Sequence, residues 1–110
     1  MPLGYTAPVD LVATKIKLML GGMFGKSGRY YEFSQPLELV AETEEGGSWI
    51  HRIEELEIWC VEPERDDSFL ALMDLLDAEY EMYGNPKQKF RHPAATRNHE
   101  RFQKAIKHVY

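Results

Sequence analysis

Between Leu11 and Leu20 apolar and polar positions alternate, with Val12, Thr14, Ile16, Leu18 and Leu20 on one side and Lys15 and Lys17 on the other. A period of two marks a half-buried strand. A glycine-rich stretch, Gly21 to Gly28, reads as a loop, and the aromatic run Arg29 to Phe33 reads as a second strand that Pro36 interrupts. Alternation resumes from Leu37 to Thr43. Glu44, Glu45, Gly46 and Gly47 follow, then Ser48, Trp49 and Ile50. Paired glycines tolerate positive φ, so this segment predicts a tight hairpin. From Leu56 to Val61 a further strand is expected, with Leu56, Ile58 and Cys60 facing one way and Glu57, Trp59 and Val61 the other.

The period then changes. Over 67–83, Phe69, Leu72, Met73, Leu76, Tyr80 and Tyr83 fall on one face of a helix, and Asp74, Asp77 and Glu81 cluster away from it. Asp66, Asp67 and Ser68 offer N-cap oxygens, and Gly84, Asn85 and Pro86 supply a stop. A second stripe, Ala71, Leu75, Ala78 and Met82, needs a cover. Phe102, Ala105, Ile106 and Val109 follow helical spacing on a segment predicted as a helix over 93–110, so either that helix or a partner covers the stripe. Only Asn85 to His92 looks like a linker. The pattern predicts one α+β domain over 1–110, strand-rich over 9–62. Its architecture is a mostly antiparallel sheet of four to five strands, with one long helix packed on it and a second C-terminal helix.

Composition adds bounds rather than identity. The chain has 110 residues, 44% hydrophobic and 28% charged, enough for one core without staples. Its single cysteine, Cys60, excludes an internal disulfide, and a reducing cytoplasmic location is expected. The start, MPLGYTAPVD, lacks the basic and apolar regions of a secretion signal, and no stretch approaches the roughly 20 apolar residues of a membrane span. Charge is unevenly distributed. Residues 1–84 carry 17 acids and 6 bases, a net −11, whereas 85–110 carry 7 bases and the single acid Glu100, a net +6. Such asymmetry speaks to partners, not to fold.

Candidate chemistry is sparse. Gly21, Gly25, Lys26 and Ser27 resemble a phosphate-binding loop, but the spacing is one residue short and a strand rather than a helix is expected to follow. Asp74, Asp77 and Glu81 lie at i, i+3 and i+7 with no second cluster to complete a metal site, so they read as an acidic surface. His51, His92, His99 and His108 lack ligand spacing, and no serine or cysteine has an adjacent histidine signature. No catalytic residue, metal or cofactor is therefore expected. On a helix, Arg97, Arg101, Lys104 and His108 would form one ridge, with Lys107 beside it, that could follow nucleic-acid phosphates. Trp49 and Trp59 lie on adjacent strands, where a tryptophan serves either the core or, if exposed, a binding face.

The stretch Pro36 to Gly84 resembles the small bacterial proteins related to HicB-type antitoxins. The shared pattern is a strand, an acidic and glycine turn, a second strand with an aromatic, a corner at Glu54, Glu55, Leu56 and Glu57, a third strand and an amphipathic helix. The resemblance covers a little under half the chain. It implies a partial ribonuclease-H-like unit without catalytic carboxylates, whose relatives block a small basic ribonuclease toxin. An acidic body would steer such a partner.

The sequence thus predicts a non-catalytic, antitoxin-like module that recognises a small basic protein through Trp59, Asp74, Asp77 and Glu81, and a homodimer is expected from the open sheet edge or second stripe. The rival reading is a nucleic-acid-associated regulator acting through Arg97, Arg101, Lys104 and Lys107.

Overall fold

Alternation along residues 30–43 produces the strand on which the rest of the sheet is built. The computed structural model describes residues 14–110; residues 9–13, where the strand-rich region and first strand were expected to begin, lie outside the described residues. Strand β1 (Lys15–Phe24) pairs antiparallel with β2 (Tyr30–Thr43). The far half of β2 pairs with β3 (Trp49–Ile53), and β3 with β4 (Ile58–Glu62). The near half of β2 pairs with β5 (Ile106–Val109), giving an antiparallel sheet of five strands. Two helices, α1 (Arg65–Tyr83) and α2 (Pro93–Ala105), complete the α+β fold.

Both helices contribute to one core on one face of the sheet. Tyr31, Phe33, Leu37, Leu39, Ile53 and Ile58 point inward at alternate positions, as period-two strands require, and meet Leu72 and Leu76 of α1 and Phe102 of α2. The expected main stripe of α1 is therefore the stripe that docks, with Phe69, Met73, Tyr80 and Tyr83 at its margins. Leu72 and Leu76 are fully buried, and truncating either to alanine would cost about 2–5 kcal/mol.

Several expectations are corrected. The stretch Gly21 to Gly28 is not all loop: β1 runs through both early glycines to Phe24, and the turn is confined to residues 25–29. Nor does Pro36 divide two strands. Leu37 stands opposite Leu20 and Glu32 opposite Gly22, so Phe33 to Pro36 form an irregular bulge, where the missing proline N–H leaves no gap in the ladder. Helix α1 starts two residues early, at Arg65, and its N-cap, Glu64, makes no side-chain cap bond. Ser68, expected among the capping oxygens, is instead buried, and its hydroxyl donates to the Cys60 carbonyl at 3.0 Å, tying α1 to β4. Gly84 ends the helix as expected; a Cβ there would lie 2.2 Å from the Tyr80 ring.

The predicted helix over 93–110 stops at Ala105. His92 caps it, its ring Nδ1 accepting from the Ala94 N–H at 3.1 Å, and Pro93 opens its first turn. Ile106–Val109 then turns to strand because β3 pairs only with the far part of β2, leaving the edge at Tyr31–Phe33 open. Ile106 and Val109, stiff β-branched side chains, fill that edge and pack on the core. Tyr110 extends the pairing, its N–H donating to the Tyr30 carbonyl at 2.9 Å. Helix α2 sits at the end of the main stripe, where Tyr83 meets Phe90 and Phe102. It does not cover the second stripe: Leu75 is partly buried, whereas Ala78 and Met82 are exposed. No described helix is long and apolar enough to cross a membrane.

Candidate functional site

The glycine-lysine-serine turn holds an anion, and that anion belongs to the protein. The Asp77 carboxylate of α1 accepts from the Ser27 N–H at 2.8 Å and the Ser27 hydroxyl at 3.0 Å, and the buried Tyr31 phenol donates to it as well. A Cβ on Gly25 would come within 2.0 Å of that carboxylate, so the glycine is needed for closeness. One turn along α1, Glu81 pairs with Arg29 of the same hairpin. Desolvation pushes the Asp77 carboxyl up, but the Tyr31 and Ser27 donors, helped by Arg29, outweigh it and hold the group below the usual carboxylate range. Burial, followed by the bond to Asp77, pushes the Tyr31 phenol well above its ordinary value.

Of the four residues expected at a protein interface, two are thus engaged internally. Asp77 and Glu81 fasten the β1–β2 hairpin to α1, while Asp74 is exposed on the same helix. Trp59 lies elsewhere. Ile58 points to the core, so Trp59 points to the opposite face of the sheet, and it remains 59% exposed. The four do not converge. Across the strands Trp59 is aligned with Arg52, Val40 and Lys17, and Val61 with Ile50, Glu42 and Lys15. Arg52 is paired with Glu42 and Glu54, which quenches charge at the centre of this face. Trp59 and Val61 stand exposed beside it. Glu62, which alternates to the helix side of β4, and Glu64, beside Trp49, make no ion pair among the described residues, whereas Glu57 is held by Arg101. Trp49, by contrast, is half-buried, with the Arg65 guanidinium 6.0 Å from its ring centre.

The basic residues are separated by the strand that replaced the last helical turns. Arg97, Arg101 and Lys104 share one face of α2, whereas Lys107 and His108 belong to β5. Lys107 lies 4.0 Å from Glu32, and Arg101 donates to Glu57 at 2.7 Å and to Asn98 at 2.6 Å. Arg97, Arg101 and Lys104 line a cleft of about 560 Å³ between α2 and the β2 bulge. Composition alone offered no sign of this cleft, because its opposite wall, Ser34 to Leu37, depends on the bulge.

The remaining titratable groups have structural surroundings. His99 Nδ1 contacts the Tyr83 carbonyl at 2.8 Å, and His92 caps α2. His51 is buried against Phe69, and its Nδ1 has no hydrogen-bond partner. Burial, with Arg65 nearby, lowers its proton affinity. Burial, then Glu62 and Asp74, pushes the Cys60 thiol up. Among the described residues no group of three or more His, Cys, Asp or Glu side chains could hold a metal ion. Comparison with family models, with curated proteins and with solved structures found no match to the chain.

Proposed function

We propose that this chain is a non-catalytic protein-binding module, antitoxin-like in action, that holds a small basic protein against the outer face of β3 and β4. One observation carries the reading: Trp59 stands exposed on the face of the sheet opposite the helices, beside exposed Val61. Large aromatics in such positions supply a disproportionate share of interface energy. The Arg52 and Glu42 pair quenches charge at the centre of the face. Attraction for a basic partner comes from the net −11 of residues 1–84 as a whole, against the local opposition of Lys15 and Lys17 on β1. The succession β2, β3, β4 and α1 has the strand and helix order of the HicB-type proteins that residues 36–84 resemble.

Asp77 and Glu81 leave the proposed contact set, since their carboxylates are committed to Ser27, Tyr31 and Arg29. Asp74 remains available but sits on the helix side, so it acts by long-range attraction only. The test is a pair of variants assayed against the basic partner. Trp59→Ala weakens the complex by about 2 kcal/mol or more, roughly 30-fold, while reversing Arg97 and Lys104 to glutamate leaves it intact. A complex indifferent to Trp59 but dissolved by the α2 reversals would overturn the reading.

A further inference from the structure

We propose that the cleft between α2 and the β2 bulge binds a nucleoside polyphosphate. This goes beyond the protein-binding reading and uses none of its residues. Arg97, Arg101 and Lys104 are spaced by four and three residues, so they form a row about 10 Å long on one face of α2. A row of that length matches a chain of two or three phosphates better than one tetrahedral anion. Arg97 and Lys104 make no ion pair among the described residues, so both cations can meet a ligand without giving up a partner. Arg101 is pinned by Glu57 and Asn98, which fixes its guanidinium while leaving further N–H donors.

The opposite wall supplies the rest. Ser34 and Gln35 fall between the registered pairs that β2 makes with its neighbours, and their side chains make no hydrogen bond among the described residues. Pro36, Leu37 and Ala105 add apolar surface on which a planar base can lie. At about 560 Å³ the cleft falls in the range of small-ligand sites. Glu55 and Glu100 also line it and repel anions. Their repulsion grows with ligand charge, so a polyphosphate is held only where its charges lie along the cationic row and away from the two carboxylates.

The experiment is calorimetric titration of the full chain with ADP at about 0.15 M salt, where surface charges are screened beyond about 8 Å. Saturable one-to-one binding is expected. Arg97→Ala with Lys104→Ala should weaken it about tenfold or more, each charge-assisted contact being among the stronger hydrogen bonds. Glu100→Gln should tighten it, and adenosine and pyrophosphate should each bind more weakly than ADP. All three positions are on the surface of α2, so circular dichroism should show unchanged folding. Absence of ADP binding, affinity unmoved by the double substitution, or pyrophosphate binding as tightly as ADP would each overturn the proposal. So would a single-stranded oligonucleotide that displaces ADP at equal phosphate concentration, which would assign the cleft to nucleic acid.

Discussion

The phenol of Tyr31, buried in the central strand, donates to the carboxylate of Asp77 on α1, and that bond joins the sheet to the helix at the end where the β1–β2 hairpin turns. Ser27 completes the carboxylate's shell from the turn. Substituting Asp77→Ala would strand a fully buried hydroxyl and release the turn, with an expected loss of about 2–3 kcal/mol. Tyr31→Phe, which leaves Asp77 its two Ser27 donors, should cost less. Urea unfolding midpoints of the two variants check the order.

Gly25 presses against the same carboxylate. Gly25→Ala would force Asp77 off its partners, so the two substitutions should not add: once Asp77 is alanine, the penalty of Gly25→Ala should shrink by about 1 kcal/mol or more. A double-mutant cycle measures this directly, and additive penalties would mean that the turn and helix are not coupled through this contact.

Acid should act through the same carboxyl. Its folded proton affinity is depressed, so its stabilisation is present above the ordinary carboxylate value of about 3.9 and is lost as pH falls through the folded value. The stability gap between the wild type and Asp77→Asn should therefore be full at pH 6 and close in strong acid. His51 acts at higher pH. Its affinity is also depressed, chiefly by burial, so the unfolded chain protonates first and stability falls as pH drops below about 6.5. His51→Phe should flatten the stability profile between pH 7 and 5, measured by thermal unfolding.

Ser68 and Cys60 give a smaller, separable effect. Ser68→Ala leaves the Cys60 carbonyl without that donor and should cost about 1 kcal/mol. The thiol of Cys60 is held in its protonated form by burial and neighbouring acids, so iodoacetamide should label it more slowly at pH 7.5 than an unstructured cysteine. Labelling at the rate of the unfolded chain would contradict this environment.

Periodicity carried the fold where burial was strongest. The stripe from Phe69 to Tyr83, the inward position Ile58 and the turn at Gly46 and Gly47 stand where a sequence reading puts them, because side-chain period directly reflects burial. Leu56, expected to open the strand, is instead buried from a 3-10 turn over Glu54–Leu56, Glu57 is left-handed, and the strand starts at Ile58. It failed where a distant partner decided the outcome. Ile106 and Val109 fit helical spacing as well as a strand, and only the open edge of β2 near Tyr31 selects the strand. Asp77 and Glu81 look like surface acids until the hairpin brings Ser27 and Arg29 to them, a pairing across some 50 residues that no local pattern announces. Trp59 was legible as a choice between core and interface, and the side to which β4 turns it settles that exposure. The cleft at Arg97 and Lys104 was not legible, since its far wall is a bulge.

The most direct test of the binding reading is quantitative mass spectrometry of proteins retained, at moderate salt, by tagged wild-type chain and by its Trp59→Ala variant. The account predicts a small basic protein recovered in stoichiometric amount with the wild type and depleted with the variant, whose unfolding midpoint stays near that of the wild type because Trp59 is exposed. Recovery of no such protein, or equal recovery by both chains, would contradict it.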